Sequence, residues 1–247
     1  DAGLLLQGAA ANNTLVGSGA GDAITTGPGN VAIGRNSLGA VIGGDYNTAV
    51  GYHSGDALTT GSANVAIGYE ALGADDVGQY TVAVGPQAAQ YQNIVSTGDP
   101  GNVAIGHSAG QYNVTGTSNT WVGALAGAGV STNSNSNNTG IGYNALKAVT
   151  TGGTNTVVGS TAGADMTSGS SNVIMGSEAG HELTTATDNV AIGKSALDRM
   201  DGAPAQNVAI GSAAMHGNLS NVAITGCVAI GHEALEGTLT VGANYSV

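Results

Sequence analysis

The stretch Asn64-Val65-Ala66-Ile67-Gly68, followed at short distance by Ala71-Leu72, decides how the chain is read, because near-copies of it recur almost from end to end. Counted from the asparagine, copies begin at Asn13, Asn30, Asn47, Asn64, Thr81, Asn102, Asn119, Asn138, Asn155, Asn172, Asn189, Asn207, Asn221 and Cys227. The commonest step is 17 residues, and the irregular steps lead into Asn102, Asn138, Asn207, Asn221 and Cys227. A fixed motif with spacers of variable length is the mark of stacked equivalent units.

Each position in a copy keeps its own chemistry. Val or Thr follows the asparagine, and two residues later stands Val, Ile or Met, as in Val31 and Ile33 or Val173 and Met175. Side chains alternate along a strand, so these two share a face, and β-branched residues suit it. The expectation is a short strand with this pair facing the core. Glycine follows, replaced only by Thr225 in the Asn221 copy. A small residue and then Leu, Met, Ala or Gly come next, as in Ser37-Leu38 and Ala145-Leu146, which predicts a second short strand. Spacers such as Thr59-Thr60-Gly61-Ser62 are turn chemistry. Each copy therefore predicts one coil of an all-β, parallel β-solenoid with about 14 coils over 13–236, with 1–12 as an N-terminal cap or junction and 237–247 as a C-terminal cap or exit segment.

The middle strand position points away from the Val/Ile pair. It holds Ala32, Ala49, Ala66, Ala83 and Ala104, then Trp121, Gly140, Val157 and Ile174. A solvent-facing column would favour Thr, Lys or Glu, so recurrent alanine predicts close packing against another chain. A coil this short also encloses a thin core, which predicts stability only as an oligomer. The asparagine column, including Asn30, Asn47, Asn64, Asn102, Asn119, Asn155, Asn172 and Asn189, predicts amides hydrogen-bonded from coil to coil. The two positions after the corner glycine vary most. Among them Tyr52, His53, Tyr69, His107 and Tyr143 are candidate exposed binding residues, with Tyr52, His53 and Tyr69 as an aromatic step for a sugar ring.

Composition narrows the function classes. Net charge is −12, charged residues are 8%, and the only cations are Arg35, Lys147, Lys194 and Arg199, so the chain lacks a basic footprint for nucleic acid. No apolar run approaches the ~20 residues of a membrane-spanning helix. The single cysteine, Cys227, excludes an intrachain disulfide. No His-x-x-x-His, Cys-x-x-Cys or calcium-loop spacing is present, and no Gly-rich loop leads into a helix. Asp75-Asp76, or Glu178 and Glu182, are carboxylates that could pair for glycoside hydrolysis, but the acids are few and no shared nucleophile or basic substrate clamp accompanies them. The expectation is a non-enzymatic protein without cofactor or metal.

The Asn-(Val/Thr)-Ala-(Ile/Val)-Gly-x-x-Ala-Leu unit with its Thr-Thr-Gly spacer, as in Asn64 onward and Asn138 to Thr154, resembles the repeats of bacteriophage tail-fibre and tail-appendage proteins. Its Val-Ala-Ile-Gly core is also similar to the head repeats of YadA-type trimeric autotransporter adhesins, which form left-handed β-rolls. What the resemblance implies is a homotrimeric rod, virion-borne or extracellular, that attaches to a host glycan or protein receptor and joins other fibre components at its ends. The head of a bacterial adhesin, or another filament-forming surface protein, is the alternative.

Overall fold

The computed structural model describes residues 1–6, 10–95, 99–130, 133–200, 203–217 and 224–237. Residues 96–98 and 131–132 of two spacers, the Asn221 motif up to Ala223, and the tail from 238 onward lie outside the described residues, as does Ala9. The chain is all-β: 13 three-residue strands and no helix among the described residues. It divides into two compact units, Asp1–Ala124 with Ser131–Ser134, and Leu125–Val130 with Asn135–Val247.

In the first unit, β1 (Thr14–Val16), β2 (Val31–Ile33), β3 (Thr48–Val50), β4 (Val65–Ile67), β5 (Val82–Val84), β6 (Val103–Ile105) and β7 (Thr120–Val122) follow in chain order. Each pairs in parallel with the next, motif position on motif position: Ala49 opposes Ala66, and Ala104 opposes Trp121. In the second unit the same holds for β8 (Thr139–Ile141), β9 (Thr156–Val158), β10 (Val173–Met175), β11 (Val190–Ile192), β12 (Val208–Ile210) and β13 (Val228–Ile230). This is the β-solenoid that the repeat predicts, with one strand per coil.

Among the described residues there are 13 strands where 14 coils were expected, and the described part of the Asn221 copy, Ile224 and Thr225, belongs to a spacer. Thr225 stands two residues before Cys227 and bridges Ala205, which stands two before Asn207; Ala205 in turn bridges Thr187. Ile224 is buried and its carbonyl accepts from Asn207 Nδ2 at 2.9 Å, a spacer role. The apparent exception at the corner glycine therefore disappears. At a true corner, Gly34 has φ 134°, and a Cβ there would lie 2.3 Å from the carbonyl oxygen of Gly51. No threonine fits such a position.

The second strand of each coil is also absent, and a run of turns takes its place. Asn36 and Leu38 have φ values of 55° and 49°, and the pattern of alternate left-handed residues repeats at His53, at Glu70 and Leu72, and at Asn144 and Leu146. An extended ladder cannot contain such residues. The turns are held from both sides instead: Asn36 N–H donates to Ser18 O in the preceding coil at 2.9 Å, and Leu38 N–H to Ser54 O in the next at 3.1 Å. These bonds offset the left-handed conformation, which costs roughly 1–2 kcal/mol per non-glycine residue.

The two strand faces are reversed relative to the expectation. Ala32, Ala49, Ala83, Val157 and Ile174 have no accessible surface, Ala66, Ala104 and Trp121 have 1%, and Gly140 is buried. None of them can lie at a subunit interface. The Val/Ile pair points outward, with Ile33, Ile67 and Ile105 between 37% and 39% exposed. The cause is the interior opposite the strand, which large side chains already occupy: Leu38, Leu58, Leu72, Leu146, Leu183 and Leu197 are fully buried. A coil this narrow takes in one side chain from each strand, that of the middle residue.

Large and small side chains are paired across that interior in most coils. In several coils a small middle strand residue is matched by a large one six positions on, as in Ala32 with Leu38, Ala66 with Leu72, Gly140 with Leu146 and Ala209 with Met215. Ala49 with Gly55 and Ala83 with Ala89, by contrast, are small on both sides, and a Cβ on Gly55 would meet Leu38 Cδ2 at 3.0 Å and Leu58 Cδ1 at 3.2 Å. Where the strand residue is large, glycine stands opposite. A Cβ on Gly21 would approach Leu15 Cδ2 to 2.7 Å, and one on Gly180 would approach Ile174 Cδ1 to 3.1 Å. Trp121 extends the rule to the preceding coil, since its Cδ1 would be 2.7 Å from a Cβ on Gly110. Close packing without voids or overlaps requires this reciprocity.

Candidate functional site

The asparagine column forms a hydrogen-bond ladder. Asn30 Oδ1 accepts from Asn47 N–H at 2.8 Å, Asn47 Oδ1 from Asn64 N–H at 3.0 Å, and Asn64 Oδ1 from Thr81 N–H at 2.9 Å. Each Nδ2 reaches a spacer carbonyl, as Asn64 does to Gly78 O at 2.8 Å. In the second unit Asn155, Asn172 and Asn189 repeat the arrangement, and Asn102 and Asn119 are linked at 2.9 Å. All of these amides are buried, so both ends of each are spent on backbone groups. This column is structural.

Thr81 interrupts it, and the longer spacer that follows supplies the missing amide. Gln92 Oε1 accepts from Asn102 Nδ2 at 2.9 Å, while Gln92 Nε2 donates to Thr81 Oγ1 at 2.9 Å and to Asp75 Oδ2 at 2.6 Å. Asp75 has no accessible surface, and its Oδ1 also accepts from the Gly78 and Ile94 N–H groups. Burial raises its pKa above the ordinary value of 3.8, against the lowering effect of those hydrogen bonds. The sequence marks Asp75 only as a carboxylate that could pair with Asp76, and Gln92 only as part of a longer spacer; their positions, three residues before Gly78 and three before Val95, are where other coils carry the buried Leu58 or Val41.

The turn side of the coils carries the exposed chemistry. Of the five candidate corner residues, the structure brings Tyr52, His53 and Tyr69 together in the first unit, around a cleft of about 310 Å³. The Tyr52 and Tyr69 rings stack with centroids 5.8 Å apart and planes at 10°, and Arg35 lies 5.7 Å over Tyr52. Tyr52 is thereby flanked by Arg35 and Tyr69, while Tyr69 is about half exposed. His107 is exposed but does not line this cleft, and Tyr143 stands exposed in the second unit.

The remaining lining was not singled out as a site from sequence: Asp56, Glu70, Gly73, Ala74, Gln90 and Tyr91. Asp56 pairs with His53 Nδ1. Glu70 Oε2 accepts from Gln90 Nε2 at 2.5 Å, and Gln90 Oε1 accepts from Gln111 Nε2 at 2.7 Å. A hydrogen bond to Glu70 raises the Tyr69 pKa. The signal in the sequence is a column nine residues after each motif start, Asp22, Gly39, Asp56, Gly73, Gln90, in which glycine alternates with larger polar residues. Each glycine opens a gap. Gly39 opens a second, shallower recess with Asp22, Asn36 and His53.

In the second unit, Glu178, His181, Glu182, Asp198 and Arg199 line a separate cleft of about 320 Å³. Its acids are engaged: Arg199 Nε lies 3.9 Å from Glu182 Oε1, Asp198 Oδ1 accepts from Glu182 N–H at 3.2 Å, and Glu178 Oε2 accepts from Ser195 Oγ at 3.3 Å. Among the described residues no group of three or more His, Cys, Asp or Glu converges as a metal-ligand set, and no helix is long and apolar enough to cross a membrane. Cys227 is buried and continues the ladder, its N–H donating to Asn207 Oδ1 at 2.9 Å. No protein-family model, curated protein or solved structure matches the chain.

Proposed function

We propose that the chain is a structural attachment segment, assembled from three parallel copies of itself and presenting its turn side to a surface receptor. The observation that carries this reading is the outward aliphatic face of the strands. Val16, Ile33, Ile67 and Ile105 in the first unit, and Ile141, Val173, Met175 and Ile230 in the second, are all more than a third exposed. Parallel sheets are ordinarily covered on both faces, and a contiguous apolar surface on a protein this acidic marks a place where another chain sits. A second copy matches it best, because identical coils set one aliphatic pair against another at every level.

Repetition supports attachment through many equivalent weak contacts, since copies held in one assembly raise avidity without a single tight pocket. The resemblance of the motif to phage tail-fibre repeats favours a virion or other extracellular setting. The test begins with the native mass by light scattering, followed by binding of the labelled chain to a panel of bacterial cells. A trimer that dissociates on Ile67→Lys with Ile105→Lys, and that binds cells, is the expected result. A monodisperse wild-type monomer would overturn the assembly.

A further inference from the structure

We propose that the cleft over Gly73 is a carbohydrate-binding site that takes a neutral or amino-bearing pyranose ring of a surface glycan. The inference rests on the attachment reading and names its ligand. Gly73 carries no side chain in a column whose neighbours, Asp56 and Gln90, stand up as walls, so the cleft floor is the Gly73-Ala74 backbone. Its volume, about 310 Å³, is at the lower end of small-ligand sites and suits one or two sugar rings.

The aromatic platform is Tyr91, not the Tyr52–Tyr69 pair. Tyr91 stacks on Tyr112, centroids 4.9 Å apart and planes at 17°, so one face is covered from the following coil. In the preceding coil the equivalent position is Ala74, which leaves the opposite face of Tyr91 bordering the cleft. A ring face at one end and carboxylates beside it are what a pyranose needs: C–H groups lie on the aromatic surface while vicinal hydroxyls donate to carboxylate oxygens.

The polar groups are already held in place. Glu70 is fixed by Gln90, Gln90 by Gln111, and Asp56 by His53, so little side-chain freedom remains to be lost on binding. Charge sets the class of sugar. Glu70 and Asp56 line the cleft without a Lys or Arg, the nearest guanidinium, Arg35, being stacked on Tyr52. Sialylated, phosphorylated and uronic-acid glycans are therefore disfavoured, and hydroxyl- or amine-bearing rings are favoured.

The test uses the full chain on an array of defined neutral, amino, N-acetylated and sialylated oligosaccharides, together with Gly73→Gln. Gly73 lies outside the left-handed region, and a Cβ there would lie 3.3 Å from Glu70 O, a tight contact relieved by a shift of a few tenths of an ångström, so glutamine, already present at the equivalent Gln90, fills the cleft with little change to the coil. Wild type is expected to bind neutral or amino glycans and not sialylated ones. Gly73→Gln is expected to lower that binding at least tenfold with an unchanged thermal midpoint and native mass, and Tyr91→Ala to lower it similarly. Absence of binding across the array, a preference for acidic glycans, or full binding by Gly73→Gln would each overturn the site. Cells still bound by Gly73→Gln as by wild type would sink this site while leaving the attachment reading standing; cells bound by neither protein would sink the attachment reading itself.

Discussion

Replacing Ile174 and Gly180 separately and together tests whether interior volume is conserved coil by coil. Ile174 has no accessible surface, and its Cδ1 lies 3.1 Å from where a Cβ on Gly180 would sit. Ile174→Ala removes three buried carbons, about 2.4 kcal/mol at ~0.8 kcal/mol each, and with the remaining cavity the loss is about 3–4 kcal/mol. Gly180→Leu alone drives a side chain into Ile174 Cδ1 and Leu183 Cδ1, the latter 2.8 Å from its Cβ, at a cost of about 1–3 kcal/mol. The left-handed backbone adds about 1 kcal/mol.

The double variant restores an arrangement the chain already uses, that of Ala191, Leu197 and Met200, where Leu197 has φ 54°. It is expected to lose only about 1–2 kcal/mol, so the two changes couple favourably by several kcal/mol. Far-ultraviolet circular dichroism in a urea titration, at one protein concentration for all four proteins, gives the cycle. Losses that simply add to within about 0.5 kcal/mol would refute the packing rule.

Two further predictions concern the buried polar groups. The Asp75 pKa is raised in the folded chain, so its contribution to stability is fully present below 3.8 and is lost as pH rises through the folded value; Asp75→Asn is expected to flatten that segment of a melting-temperature profile, and an identical pH slope in both proteins would refute it. Asn172→Ala removes the acceptor of Asn189 N–H, leaving that buried backbone donor unmatched, and takes from Ala186 O one of its two donors, the other being Ser170 N–H at 3.1 Å. A loss of about 2–4 kcal/mol in urea unfolding is expected, whereas a change below about 1 kcal/mol would show the ladder to be dispensable.

The periodicity of the motif was enough to read the solenoid, its parallel in-register strands and the place of each strand, because three alternating residues flanked by asparagine and glycine recur unchanged. Which face lies inside was not legible from the strand alone. Val31 and Ile33 look like core residues until Leu38 is known to fill the interior opposite Ala32, and Leu38 itself read as strand because nothing in Ser37-Leu38 announces left-handed backbone. The Asn221 motif matched the pattern in letters, yet Thr225 at its corner already broke the one position where a side chain collides with the next coil. Tyr52, His53 and Tyr69 were found as exposed corners. Tyr91 and Gly73 were missed as site residues because a recess is made by what neighbouring coils place around a glycine, and only stacking brings residues 17–21 positions apart to one place.

The register of the ladder has a genetic consequence. Within each unit nearly every coil presents the same asparagine, Thr81 and Cys227 being the replacements, with the same corner glycine and the same strand position toward the coil before and after it. Misaligned recombination between two copies of the underlying gene segment would thus add or delete a whole coil, and the junction would be chemically indistinguishable from its neighbours. Only the interior volume pattern, large opposite glycine or small opposite leucine, would restrict which coils can be joined. Length in such a chain is adjustable in steps of ~4.8 Å, one strand spacing at a time.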